Sequence, residues 1–330
     1  MHTLGIDIGK TSMHVSLLID GRTKPLRRRL DNNDTGRGAL IDWLAHKLDA
    51  QALVHACLEA TGGWEEPVAR ALHERGHTVS VVNPYRISAY GKSEGATNKT
   101  DRTDADRIAR FCRSQRPPAW QPPTAAERTL TELVRTRADL KATRQEYENR
   151  LDAPRVTAAT QASHRRVIAT LGDEIAELDR RIDAHIEAHP ALRRRRELIV
   201  SISGIGKQTA EVLLGEIGNP LRFDSARQLA AWCGVVPCEW SSGTSVRRRP
   251  RISKRGNPRI RAALYYPAMS ATCHNPVLIP FAERLKANGK QGKQIVVAVM
   301  RKLIHLVYGV IKNDTAFDPN WGTRNWCAAA

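Results

Sequence analysis

Asp101 and Asp104 stand three apart in Lys99-Thr100-Asp101-Arg102-Thr103-Asp104-Ala105-Asp106, where Thr100 is placed to cap a helix. Helical residues three apart share a face. In a chain of formal charge +18, two carboxylates on one face suit a hard divalent cation. A solvated acidic patch beside Arg102 and Arg107 would use the same residues. Two further acids lie upstream: Asp7 inside Leu4-Gly5-Ile6-Asp7-Ile8-Gly9, and Glu59 directly after Leu53-Val54-His55-Ala56-Cys57-Leu58. Either alone would serve as a cap or turn former. Together they give the chain order Asp, Glu, Asp, Asp on an α/β sheet, whose ligands gather at the C-terminal ends of strands. Such a site suits two Mg²⁺ ions about 3.5–4 Å apart, which activate a nucleophile and steady the leaving oxygen of a phosphodiester.

A second chemical stretch is Trp240-Ser241-Ser242-Gly243-Thr244-Ser245-Val246. It runs into Arg247–Arg261, where eight of fifteen residues are basic and none is acidic. Composition alone makes this a phosphate-contacting loop. The sharper alternative is a serine nucleophile, with Arg247, Arg248, Arg249, Arg251, Lys254 and Arg255 binding the phosphate and easing formation of the alkoxide. A third stretch, Ser203-Gly204-Ile205-Gly206-Lys207, joins two helical segments. Gly204 and Gly206 would let backbone N–H groups approach a phosphate, with Lys207 and the next helix N-terminus adding favourable charge. A purely structural tight turn would read the same.

These groups need a scaffold. Residues 4–9 and 12–19 read as strands, Asp20-Gly21 as a turn and 22–30 as a charged edge strand. Apolar spacing then predicts a helix over 39–48, a strand over 53–58, a helix over 65–75 and a strand over 78–82. That order is an α/β fold around a mixed sheet, filling a domain 1–120. Pro117, Pro118, Pro122 and Pro123 form a stiff linker. A helical, coiled-coil-like segment spans 121–190, with Leu171, Ile175, Leu178, Ile182 and Ile186 as a seam. Its arms would pair with each other or with another protomer. Arg135, Arg137 and Lys141 are expected on outer faces, solvated or on a nucleic acid. The remainder, 191–330, is mostly helical. Tyr265, Tyr266, Tyr308 and Trp240 would pack in its core or stack on bases.

Composition narrows the partners. The chain has 330 residues, 41% of them hydrophobic, and 52 Lys plus Arg against 34 Asp plus Glu. That excess calls for a polyanion, nucleic acid before a membrane surface. The sequence shows neither an apparent bilayer-spanning stretch nor a leader pattern, so an intracellular, cytoplasmic location is expected. The six cysteines form no Cys-x-x-Cys pair, so reduced thiols are expected, without structural zinc or disulfides.

Gly5-Ile6-Asp7, Cys57-Leu58-Glu59-Ala60-Thr61-Gly62, Val82-Asn83-Pro84 and Asn98–Ala105 resemble the RuvC-like domain of the DEDD insertion-sequence transposases. Gly204-Ile205-Gly206, Cys233–Pro237, Ser242–Arg247, Ser253–Gly256 and Arg261–Tyr265 resemble the C-terminal domain of the same family. Separately, helix, Gly204-Ile205-Gly206, helix resembles a helix-hairpin-helix element. The family resemblance implies a ribonuclease-H-type fold with Asp7, Glu59, Asp101 and Asp104 as metal ligands and Asp106 outside the pattern as a surface residue. It puts the catalytic serine on Ser242, with Ser241 and Ser245 as rivals; Arg248, Arg249 and Pro250 depart from the family's glycine-like residues. It further implies serine attack on donor and target DNA to give a phosphoserine linkage. It also implies a structured noncoding guide RNA, exchange through a Holliday junction, and a nucleoid-associated dimer that doubles to a tetramer. The rival nucleic-acid readings are a RuvC-like nuclease using water and a non-catalytic binding protein. Gly5–Thr11 also resembles the first phosphate loop of actin-like sugar kinases, but no second phosphate loop or adenosine loop follows.

Overall fold

A computed structural model describes residues 1–49, 52–95, 101–154, 157–242, 246–253 and 255–320; the side chains of 101–102 and 239–250 lie outside the described set. The chain divides into two compact units, Met1–Pro122 and Pro123–Ala330.

The first unit is a five-stranded mixed sheet. Strands β1 (His2–Ile8), β2 (Ser12–Leu18) and β3 (Leu26–Asp31) form an antiparallel meander. After α1 (Asp34–Lys47), β4 (Val54–Glu59) pairs parallel to β1; α2 (Glu66–Glu74) then leads to β5 (Thr78–Val82), parallel to β4. The spatial order is β3-β2-β1-β4-β5. Alternation along the strands sorts the two faces. Leu4, Ile6, Met13, Val15, Leu17, Ala56 and Leu58 pack with Leu40 and Leu44 of α1 and Val68 and Leu72 of α2. On the opposite face Cys57 and Val82 meet Ile87 of α3 (Pro84–Ser93) and Ile108, Phe111 and Cys112 of α4 (Asp101–Gln115).

Local differences from the sequence expectation have clear causes. The tight β1–β2 turn is at Gly9, whose N–H donates to the Ser12 carbonyl at 2.8 Å. Gly21 adopts φ 79° within the longer β2–β3 connection. The edge strand therefore starts at Leu26 rather than Arg22. Helix α3 was not anticipated, although Asn83 caps it by accepting from the Tyr85 N–H and Pro84 supplies its preset first φ.

The second unit begins with a long helical pair, α5 (Ala125–Leu151) and α6 (Ala158–Glu187), which pack against each other within the chain. A Thr124–Glu127 capping box starts α5. Of the expected seam, Ile175, Leu178, Ile182 and Ile186 are buried, whereas Leu171 is only half-buried. The chain continues through α7 (Pro190–Val200), α8 (Lys207–Ile217), a 3-10 turn (Pro220–Arg222) and α9 (Ala226–Cys233). A two-stranded hairpin, β6 (Pro237–Ser242) and β7 (Val246–Ile252), precedes α10 (Pro258–His274), α11 (Ile279–Ala287) and α12 (Gly292–Asn313). Leu130, Ile182, Ile186, Leu214, Leu229, Leu264 and Leu303 belong to one core, so the inner part of the helical pair and the C-terminal helices pack as one body.

Three expectations need correction. Arg135 and Arg137 do not decorate an outer face. Arg137 is buried and pairs with Glu211 and Asp179, and Arg135 forks onto Glu216 at 2.8 and 2.9 Å. One helix, α12, is long and apolar enough to cross a membrane by length and composition. Its Val299, Met300, Leu303, Ile304 and Val307 lie in the core of the unit, which accounts for its apolarity without a bilayer. Asp106 is no surface residue, as its contacts below make clear. The five described cysteines are free. Tyr308 is buried and donates to the Phe223 carbonyl at 3.0 Å, whereas Tyr266 is exposed.

Candidate active site and nucleic-acid interface

Pairing between β1 and β4 runs in parallel register up to Ile6 beside Leu58. One step further, Asp7 falls beside Glu59 at the C-terminal ends of the two strands, about 4.8 Å apart in the pairing direction. Both belong to the sheet face that carries Gly5 and Cys57, opposite the Leu4/Ile6 face. Helix α4 covers that face and runs antiparallel to β1. Its residues Ala105 and Ala109 lie at Gly5, Asp106 reaches Ser16, and Cys112 and Arg113 reach the carbonyls of His55 and Leu18. The N-terminal turn of α4, with Asp101 and Asp104, is thereby brought to the edge that holds Asp7 and Glu59. A helix N-terminus favours negative charge.

Gly5 makes this approach possible. A Cβ there would sit 2.2 Å from the Ala105 carbonyl oxygen and 2.3 Å from the Ala109 nitrogen. Sequence reasoning used Gly5 only as part of a motif and missed this close contact.

Asp104 is half-sheltered and ion-pairs with Arg107. The Asp101 side chain lies outside the described residues. Among the described residues no three His, Cys, Asp or Glu side chains are close enough to hold a metal ion. The edge thus gathers acids without closing a cage from the described side chains alone. The donor set is all oxygen, which fits a hard divalent cation.

Asp106 is buried on the inner face of α4. It accepts from Arg27 Nε at 2.9 and 3.0 Å, from Arg27 Nη2 at 2.6 Å and from Ser16 Oγ at 2.6 Å. Burial alone would raise its pKa, but the Arg27 and Ser16 hydrogen bonds outweigh it and hold the carboxyl below its ordinary value. The signal was the basic run Arg27-Arg28-Arg29 on an edge strand, which had no acidic partner assigned.

In the second unit Ser242 is the last residue of β6, opposite Val246 across the hairpin, and Ser241 stands opposite Arg247. Gly243, Ser245 and Lys254 and the side chains of Ser242 and Arg247–Arg249 lie outside the described residues. The base of the hairpin is tightly built. Gly234 ends α9 at φ 73°, and Gly256 packs so close that a Cβ on it would be 2.2 Å from the Trp232 carbonyl oxygen. Ser253 N–H donates to Val236 O at 3.0 Å, and Arg261 donates to Gly256 O at 2.7 Å. Asn257, which caps α10, donates to Glu216 at 2.7 Å. The Arg135–Glu216–Asn257 chain therefore links α5, α8 and the foot of the hairpin. Arg251 and Arg255 are exposed.

The 201–206 turn faces two ways. Gly204, at φ 102°, lies against α10, where a Cβ would be 3.0 Å from that of Ala271; Ile205 is buried. Gly206 and Lys207 are exposed at the start of α8, and Lys207 ion-pairs with Asp183. Gly204 is therefore placed for packing, and Gly206 and Lys207 for access.

Comparison with known proteins gives two family matches. Residues 4–154 match a DEDD transposase domain of the IS110 type, and residues 196–283 match the transposase IS116/IS110/IS902 family. The chain is similar to the pilin gene-inverting proteins of Moraxella bovis and Moraxella lacunata. It is 34% identical to each over 96% of this chain and 97% of theirs. It is also 27% identical to a probable family 20 transposase of Pseudomonas aeruginosa, over 76% of this chain and 82% of that one.

Proposed function

The chain belongs to the IS110 family of transposases, and from that premise we propose that it recombines DNA through a serine nucleophile assisted by a divalent metal site. Membership makes it an enzyme acting on DNA, and the DEDD class of its first domain implies dependence on a divalent metal. The observation that supports the reading is the antiparallel run of α4 along β1, with Ala105 and Ala109 at Gly5, so that the helix starts toward the C-terminal ends of β1 and β4.

In this reading Asp7, Glu59, Asp101 and Asp104 of a RuvC-like, ribonuclease-H-type domain hold the metal, Mg²⁺ as two ions. When bound, it supplies Lewis-acid stabilisation of the phosphate oxygens. Ser242 Oγ attacks the phosphorus of a DNA phosphodiester and gives up its proton. A serine–phosphate bond forms, one phosphorus–oxygen ester bond breaks, and the departing oxygen takes up a proton. Arg247, Arg248, Arg249, Arg251, Lys254 and Arg255 neutralise the phosphate. Exposure of Gly206 and Lys207 supports a second backbone contact of helix-hairpin-helix type. The name of the Moraxella relatives supports strand exchange over plain cleavage, because inverting a gene requires rejoining the strands. A structured noncoding guide RNA and a cytoplasmic dimer that doubles to a tetramer complete the proposal; the chain's net charge of +18 supports polyanion partners.

The test is covalent trapping. Labelled DNA from the element's junction is incubated with protein, Mg²⁺ and RNA transcribed from the flanking noncoding region, then resolved under denaturing conditions. The expected product is label at the mass of the protein, lost in Ser242→Ala and in Asp101→Ala. Cleavage without an adduct that persists in Ser242→Ala would overturn the serine step and leave a nuclease using water.

A further inference from the structure

A second group of cations lies in the α9, α11 and α12 region of the second unit, outside the hairpin. Arg284 Cζ and Lys302 Nζ lie over the same ring, 5.6 and 5.1 Å from the centroid of Phe281. Arg301 adjoins Lys302 on α12, His305 follows one turn later, and Arg227 of α9 is close enough to oppose protonation of His305. Four buried or half-buried arginines elsewhere in this unit are matched to acids: Arg135 to Glu216, Arg137 to Glu211, Arg195 to Glu127 and Arg196 to Asp183. Among the described residues the side chains of Arg227, Arg284 and Arg301 form no ion pair or hydrogen bond. The Nε of Arg301 and the Nε2 of His305 are shut off from solvent and bonded to nothing.

Like charges held together without an acid are unfavourable in the free protein, and an anion arriving at the exposed Arg227 and Arg284 would relieve that repulsion. The same field acts on protons. Burial, with Arg301 and Arg284, pushes Lys302 down to about 8; burial, with Arg301, Lys302 and Arg227, pushes His305 down to about 4. Planar guanidinium groups are suited to phosphate oxygens, which they bind in bidentate fashion.

We propose that Arg227, Arg284, Arg301, Lys302 and His305 form a phosphate-binding site for a nucleic-acid backbone. This rests on the transposase reading and deepens it with a contact remote in sequence from Ser242. DNA and RNA present the same phosphodiester chemistry, so the experiment separates them.

Full-length protein, an Arg284→Gln/Lys302→Gln variant and an Arg301→Gln variant are titrated against a fluorescent DNA oligonucleotide and an RNA of the same sequence, across a salt series. For the double variant, affinity falls about tenfold at physiological salt and the slope of log K against log salt becomes shallower by about two. Without nucleic acid, the variants melt at or above the wild-type temperature, because charge repulsion has been removed. Loss confined to DNA or to RNA assigns the site to that strand type, and loss of both assigns a shared backbone site. Wild-type affinity and slope in the variants would overturn the inference, as would a lowered melting temperature with an unchanged slope. Wild-type protein that binds neither oligonucleotide at any salt would overturn the site together with the nucleic-acid partner proposed for the basic surface.

Discussion

The Asp106 carboxylate joins α4 to β2 and β3 through Ser16 and Arg27. It is two residues from Asp104, so it fixes where the acid-bearing turn lies without belonging to the proposed tetrad. Replacing Asp106 with alanine leaves Arg27 without its anion. Removing one partner of a fully buried pair costs about 3–5 kcal/mol. Arg27 is about a third exposed, and solvent reduces that to about 2 kcal/mol. Denaturant unfolding should give this loss, and titration with a luminescent lanthanide should give weaker binding at the acid edge. A wild-type unfolding midpoint in Asp106→Ala would mean that apolar packing alone holds the helix. Glu216 makes a similar prediction with a pH signature. Burial pushes its carboxyl up, but hydrogen bonds from Arg135 and Asn257 pull it below the ordinary value. A lowered folded value contributes stability above the unfolded glutamate pKa of about 4.3, lost as pH falls through the folded value. Glu216→Gln should therefore cost about 2 kcal/mol at neutral pH, and the gap from wild type should narrow below about pH 4. An equal gap at pH 7 and pH 3.5 would refute the charge-based account.

At the scale of elements, the decisive contact is the packing of α4 on β1 at Gly5. Gly5→Ala forces the helix backbone outward, with an expected cost of about 2–3 kcal/mol for overpacking. Strand cleavage should fall further than DNA binding, since the acids move with α4 while the arginines of the second unit stay in place. Equal losses in cleavage assays and binding titrations would show general unfolding instead. The acids at strand ends and the helix start were legible because period-2 and period-3.6 patterns place residues without tertiary knowledge. The inward turn of Arg135, Arg137 and Asp106 was not, because a charged residue on a helix reads as solvated until its partner on another element is known. Glu211, Glu216 and Arg27 are those partners, and they lie 74, 81 and 79 residues away in sequence. The Gly234–Gly256 approach was hidden likewise, since a motif gives a glycine's presence but not what presses on it.

At the scale of the molecule, the +18 charge is unevenly available. Arg135, Arg137, Arg195 and Arg196 are matched by internal acids, whereas Arg251 and Arg255 after the hairpin and Arg227 and Arg284 near Phe281 are exposed. The proposed chemistry is divided as well: the four acids belong to the unit Met1–Pro122 and Ser242 to the unit Pro123–Ala330. A serine and an acid set in separate units can be supplied by different protomers, and the proposed dimer makes this testable by mixing. Asp101→Ala protein retains its serine and Ser242→Ala protein retains its acids, so each alone should give no covalent adduct. If the site is shared between protomers, an equal mixture with random assembly restores about a quarter of the sites, because one pairing in four brings an intact serine to intact acids. If each protomer completes its own site, the mixture stays inactive at every ratio. Gel trapping across a series of mixing ratios distinguishes the two, with the shared site giving a maximum at equal amounts.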